Sequence, residues 1–194
     1  MKRWFRIKWL VFVFGAALWT QSLHAAAFDI EALTKLQQQG NEVQGSFVQT
    51  RYLKSLPTTP LTSRGVFQIK RQQSLLWHVK EPFEQKTLVD DKGVQHWDGH
   101  AWRREQRDGA ASTTQLSLFM DLIGGRFDSI SRYFELVLKG TDKQWQLTLK
   151  PKPPVMQKIF DSIELSGDQH VRSVKLHETQ GDRVELHFDA LVRR

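Results

Sequence analysis

The sequence predicts a mainly β (α+β) fold, an incomplete antiparallel β-barrel of about eleven strands with a small α-helical lid. Three observations carry that expectation. Between Gly65 and Gly99, short runs of bulky β-formers alternate with turn signals at Gln72-Gln73, Pro82, Asp90-Asp91-Lys92-Gly93 and Asp98-Gly99. An antiparallel meander needs this punctuation, because Val, Ile, Phe and Trp suit a half-buried pleated surface and Asp-Gly suits a tight hairpin. From residue 134 onward, apolar and polar residues alternate. Phe134, Leu136 and Leu138 oppose Glu135 and Lys139; Trp145, Leu147 and Leu149 oppose Gln144, Gln146 and Lys150; Val184, Leu186 and Phe188 oppose Arg183, Glu185 and His187. Such strands have one wet and one apolar face, and a sheet built from them must curl or be covered. The third observation is the scarcity of helix: two short apolar segments, enough to cap a half-barrel and too little for a second layer.

The N-terminus reads as an export signal. Lys2, Arg3, Arg6 and Lys8 precede an apolar run from Trp9 to Trp19, and Ala25-Ala26-Ala27 supplies the small residues of a cleavage site. The run is too short to cross a bilayer of about 30 Å, which takes roughly 20 helical residues. Residues 1–27 are therefore expected to be a cleavable signal peptide, leaving 28–194 as a single domain exported to the periplasm. The whole chain carries 28 basic and 21 acidic residues, a net charge of +7; losing four basic residues and no acidic ones leaves +3. Most of the basic excess is targeting signal, so nothing points to a nucleic-acid partner. The absence of cysteine excludes disulfides, thiolate metal sites, a cysteine nucleophile and acylation of the chain itself.

Element by element, Phe28 to Gln39 places Phe28, Ile30, Leu33 and Leu36 on one helical face, with Asp29 as N-cap and Gly40 as stop. A strand follows over 44–54. Leu56-Pro57-Thr58-Thr59-Pro60 reads as a loop, since proline cannot donate to a central ladder. Strands are expected at 63–70, 74–80, 86–90, 93–98 and 101–107. Thr113 or Thr114 then caps a lid helix whose apolar set is Leu116, Leu118, Phe119, Leu122 and Ile123, ended by Gly124-Gly125. Lys150 to Pro154 reads as a loop between two strands.

No catalytic motif is present. His96 and His100 flank a hairpin turn and lack a third ligand at a sensible spacing, so surface histidines are expected there, with no metal. Asp90, Asp91, Asp98, Glu81 and Glu84 are not paired across an apolar pocket, as a raised carboxylate pKa would need. Ser46, Ser63 and Ser74 sit in no nucleophile elbow, and no phosphate loop appears, so neither enzyme chemistry nor a cofactor is expected. The suggestive set is apolar: Phe47, Val66, Leu76, Trp77, Leu88, Trp97 and Trp102 offer large surfaces on consecutive strands. Singly each is a core residue; together they are candidates for lining a cavity that small helices cover incompletely.

The run Lys70-Arg71, Trp77, Pro82, Leu88-Val89-Asp90 and Trp97 resembles the core signature of the periplasmic outer-membrane lipoprotein carriers, the LolA-type family. The resemblance implies a monomeric half-barrel carrier for the acyl chains of a lipoprotein or related lipid. It also implies an inner-membrane release complex and an outer-membrane acceptor as partners. It gives Arg71 the role of lid latch, hydrogen-bonding carbonyls of the lid helices; from the residues alone, Arg71 is equally a solvated strand-end charge beside Lys70. The family's proline after this arginine is replaced by Gln72, and the chain ends at Arg194 without the family's extra strand. Two alternatives stay open: a carrier for a dedicated lipid or polyene export pathway, and a non-enzymatic sensor or partner-binding module.

Overall fold

A computed structural model describes residues 28–70, 73–104, 118 and 120–193. Helix α1 (Ile30–Gln37) opens it, with the Asp29 carboxylate accepting from the Ala32 N–H at 2.9 Å, the N-cap expected from sequence. Strands β1 (Glu42–Leu53), β2 (Leu56–Lys70), β3 (Ser74–Glu81), β4 (Gln85–Asp90), β5 (Gly93–Trp97) and β6 (Trp102–Arg104) follow. Next come α2 (120–123), also helical at Leu118, and α3 (Phe127–Ile130). The chain finishes with β7 (Phe134–Thr141), β8 (Gln144–Pro151), α4 (Pro154–Gln157), β9 (Phe160–Gly167), β10 (Val171–Glu178) and β11 (Arg183–Arg193).

All eleven strands form one antiparallel sheet in the order β6-β5-β4-β3-β2-β1-β11-β10-β9-β8-β7. It is two meanders joined where β1 pairs with β11. The edges stay open, so the sheet is an incomplete barrel, as the alternation in the sequence predicts. The connections alternate between two ends. One end carries the α1–β1 junction, the β2–β3, β4–β5, β7–β8 and β9–β10 turns and the end of β11; call it the clamp end. The other, the hairpin end, carries the β1–β2, β3–β4, β5–β6 and β10–β11 turns, α4 and the start of β7.

Two expectations need correction. Leu56 to Pro60 is not a separate loop: β2 begins at Leu56 and, paired with β1, runs on past the end of β3. Its prolines are tolerated because β3 pairs with β2 only up to Arg64, leaving this part of β2 with a free edge. The register slips between Arg51 and Leu53 to accommodate it. Lys150 and Pro151 likewise continue β8, and Pro154 opens α4 at a first-turn position that needs no N–H.

The core lies on one face of the sheet, beneath α1, α2 and α3. Leu33 of α1, Leu118, Leu122, Ile123, Phe127 and Ile130 pack there with Phe47, Phe67, Leu75, Trp145, Leu147, Ile163, Leu186 and Phe188. Aromatic bulk at the centre is made possible by glycine. Gly65 stands opposite Phe47 across the ladder, and a Cβ there would lie 2.0 Å from the His78 carbonyl oxygen and 2.8 Å from the Phe47 ring. Gly65→Val is expected to lower the urea midpoint by an amount corresponding to about 3 kcal/mol, the upper end of overpacking costs, without changing the m-value.

Candidate functional site

The seven apolar positions singled out in the sequence do not share a face. Phe47 and Trp77 lie on the covered face and stack at a centroid distance of 3.7 Å. Val66, Leu76, Leu88, Trp97 and Trp102 point to the opposite face. The register decides this: Phe67 stands opposite Trp77 and Ile69 opposite Leu75, so Val66 and Leu76, one residue off, face outward. Leu76 pairs with Leu88, and Trp97 with Trp102 at 5.5 Å, on that outer surface. The covered set is completed by residues that sequence reasoning did not single out. Phe67 and Phe188 meet edge-on at 5.3 Å, and Trp77 lies 6.1 Å from Phe67 and 6.5 Å from Phe188. Phe47, Phe67, Trp77 and Phe188 thus form one aromatic cluster across β1, β2, β3 and β11.

At the clamp end, α1 is tied to the sheet by polar contacts. The Arg193 guanidinium donates to the Leu36 carbonyl in the last turn of α1 at 3.0 Å and to the Gln169 carbonyl in the β9–β10 turn at 2.6 Å. The Gln37 side-chain amide donates to the Asp168 carbonyl at 3.2 Å, and the Trp145 indole N–H donates to the same oxygen at 2.5 Å. Gly125 sits against Gln37, where a Cβ would approach the Gln37 Cβ to 2.3 Å; its φ of +70° independently favours glycine. Arg193 suits its place because one planar fork reaches two carbonyls and completes the unpaired end of a helix whose dipole favours a cation.

A β-bulge aims Arg193 at this site. Ser46 pairs with Asp189, yet Gln44 pairs with Val192, so β11 carries one extra residue in this interval, and Ala190 has φ +50°. One added residue turns every later side chain to the other face. Without it, Arg193 would continue the wet row of Arg183, Glu185, His187 and Asp189. With it, Leu191 reaches the covered face beside Gly45, and Arg193, opposite Val43, reaches α1. The sequence signal was an alternation that stops at Phe188, with nothing to mark the inserted residue.

Beside the clamp lies a cleft of about 600 Å³, within the range of small-molecule sites. Ile69 and Met120 give it apolar lining, and Asn41, Lys70, Gln73 and Arg126 a polar one. Arg126 also pairs with Asp121, whose carboxyl is pushed up by burial against the opposing pull of that arginine. Among the described residues no three His, Cys, Asp or Glu side chains gather as metal ligands. His96 bonds Thr87 across the ladder, and His100 lies within the β5–β6 turn.

A family model for LolA-like outer-membrane lipoprotein carrier proteins matches residues 22–188. The chain belongs to that family. Solved structures of similar arrangement include a LolA superfamily protein from Nitrosomonas europaea, with 9% identity over 85% of this chain and 93% of that one, at a TM-score of 0.46. A chain of the Pseudomonas aeruginosa MucA/MucB complex is 15% identical over 84% of this chain, which spans 55% of that chain's length, at a TM-score of 0.47. No protein of curated function matches in sequence. Among the described residues no helix is long and apolar enough to cross a membrane.

Of the lid expected for a LolA-like chain, Leu118 and Leu122 are buried against the sheet. Leu116, Phe119 and the expected latch Arg71 lie outside the described residues. Lys70 and Gln73, which flank Arg71's turn, line the cleft. Among the described residues, the arginine side chain that bonds a helix carbonyl is Arg193.

The clamp also contains a titratable group. His170 is held below its ordinary value of 6.5, chiefly by burial, with Arg193 and Arg172 adding repulsion and the Asp168 carboxylate 3.8 Å away opposing them. Burial pushes Asp168 up, but its bonds from the His170 N–H and the Arg172 side chain outweigh that and hold it below 3.8. The folded clamp therefore binds a proton at His170 less readily than the unfolded chain does. Its contribution is complete above about pH 6.5 and is lost as pH falls below that value. Asp168 keeps its contribution until the carboxylate range, so between pH 6.5 and 5 His170 is the clamp group that responds. Thermal midpoints are expected to fall over that window in the wild type and to fall less in His170→Asn. Deleting Ala190 is expected to turn Leu191 and Arg193 outward, and hydrogen exchange would then show lost protection in residues 30–37 while β2 and β10 stay protected.

Proposed function

We propose that this chain is a periplasmic, non-enzymatic carrier that takes acyl chains of a lipoprotein or related lipid onto the covered face of its sheet and releases them towards the outer membrane. In this reading, residues 1–27 direct export and are removed. One observation carries it: an aromatic cluster at the centre of a single open sheet is covered by short helices, and α1 among them is fixed at its C-terminal end by exchangeable hydrogen bonds. Membership of a carrier family supports the same reading.

The energetics are suited to transfer. Each buried methylene contributes about 0.8 kcal/mol, so a long acyl chain gains on the order of 10 kcal/mol before costs. A carrier that kept all of it would never release its load. The ligand has to displace helices whose buried side chains share one apolar cluster with Phe47 and Phe188, and that displacement offsets part of the gain. Charge-assisted hydrogen bonds such as those of Arg193 contribute about 1.5–3 kcal/mol to the covered state. The inner-membrane donor and outer-membrane acceptor that such a cycle needs are part of the proposal.

The deciding experiment is native mass spectrometry of the mature protein from the periplasm, followed by organic extraction. Bound acylated peptide or lipid near one per chain is the expected result. A clean protein mass together with no uptake of a fluorescent fatty-acyl probe would overturn the carrier reading and favour a partner-binding module. For the clamp, Arg193→Leu is expected to bind the probe about 10- to 100-fold more tightly and to pass it more slowly to acceptor vesicles, because less energy is needed to uncover the face.

A further inference from the structure

The exposed large apolar side chains are concentrated at one end of the barrel. At the hairpin end stand Leu56 (50% exposed) and Leu61 (52%) on the β1–β2 hairpin, Phe83 (83%) on the β3–β4 turn and Trp97 at the end of β5. Tyr133, just before β7, and Val155 (64%) on α4 join them. The clamp end has only Val192 in this class among the described residues, and Val137 lies along edge strand β7. Burial in the core does not explain the six, because they come from five separate elements that share only a direction.

The charges at this rim are unequal. Its acids are largely neutralised: Glu81 by Arg64, Glu84 by Lys86 and His78, Asp98 by Arg103, and Asp182 by Arg51. Lys54, Lys80, Arg132, Lys152 and Lys158 are exposed and form no ion pair among the described residues. Exposed acids without an ion pair there are Asp128, Asp161 and Glu135, the last directly across the ladder from Lys150. The rim thus joins separated apolar side chains to a surplus of cations that lack an ion-pair partner among the described residues. A bilayer interface rich in anionic phospholipid accepts both: apolar side chains enter between headgroups, and cations meet phosphate.

We propose that the hairpin end is a docking rim for an anionic phospholipid bilayer, reversible and shallow, seating the protein upright on the membrane with the clamp end away from it. A protein partner would favour a contiguous apolar patch with a desolvated centre, whereas here the apolar groups come from separate elements and share their end of the sheet with exposed lysines and arginines. The rim is distinct from the covered face and does not depend on what that face binds.

The test is co-sedimentation of the mature protein with phosphatidylethanolamine–phosphatidylglycerol vesicles, with phosphatidylcholine vesicles in parallel. Binding to the anionic vesicles is expected, weakened by salt and much lower on phosphatidylcholine. Phe83→Ser is expected to reduce partitioning about tenfold, and Lys158→Glu about fivefold or more, with thermal midpoints unchanged because both side chains are exposed and neither makes a side-chain hydrogen bond among the described residues. Absence of binding to anionic vesicles, or binding indifferent to both variants, would overturn the rim. Binding only to vesicles reconstituted with membrane proteins would also overturn it and assign the surface to a protein. Fatty-acyl probe uptake, measured without vesicles, separates the two readings: Phe83→Ser is expected to leave it intact, and its loss in the wild type would sink the carrier while leaving the rim standing.

Discussion

The architecture depends on one topological constraint. The last strand of the first meander, β6, and the first strand of the second, β7, are opposite edges of the same open sheet. The chain between Arg104 and Phe134 therefore leaves one edge and arrives at the other. α2 and α3 lie on this connection, and Leu122, Ile123, Phe127 and Ile130 are buried against the sheet's apolar face. A single segment thus solves two problems: it joins the halves and covers a surface that no second sheet faces. Helices as short as α3, of four residues, have no stability of their own in water. Their order is borrowed from the apolar surface under them, at about 1.5–3 kcal/mol for each large side chain fully buried. Cover and surface are consequently interdependent.

Where each strand has one wet face, the sequence made the fold legible. Phe134, Leu136 and Leu138, then Trp145, Leu147 and Leu149, alternate cleanly and lie where that alternation puts them. The first meander was less transparent because it carries apolar residues on both faces. Val66-Phe67, Leu75-Leu76-Trp77 and Leu88-Val89 are adjacent apolar residues, and adjacency cannot say which member faces in. Only the cross-strand register separates them, and register is a property of pairs of strands. That is why five of the seven cavity candidates fall on the outer face. The β1–β2 hairpin was missed for a related reason: proline forbids a central ladder position, and the sequence alone does not reveal that β3 stops short of it.

Arg193 shows a different limit. Its role follows from one extra residue in β11, and a bulge changes the meaning of every position after it without altering composition or hydrophobicity. Nothing in Ala190-Leu191-Val192-Arg193 announces it. The resemblance to lipoprotein carriers directed attention to an arginine at the β2–β3 turn, whereas the described contacts to a helix carbonyl come from the last strand. An arginine fork reaching helix-end carbonyls is a local chemical solution that any nearby strand end can supply, provided its side chain is turned inward.

The distribution of polarity under the helices bears on what the covered face can accept. Its centre is aromatic, and a ligand presenting unpaired polar groups to Phe47, Phe67, Trp77 and Phe188 would lose on the order of 2–7 kcal/mol per group by desolvation. An apolar chain incurs no such loss. At the clamp end the surroundings change: Asn41, Lys70, Gln73 and Arg126 line a 600 Å³ cleft beside Ile69 and Met120. Under the carrier proposal, an amphipathic ligand has one favourable orientation, tail towards the aromatic cluster and head at the polar cleft. The cleft reaches α1 at Gln38 and is lined by neither Arg193 nor Gln37, so cleft and clamp are separate polar sites at the same end of the sheet. In that proposal the apolar part of the ligand, which competes with the helices for the same aromatic surface, has to do the uncovering.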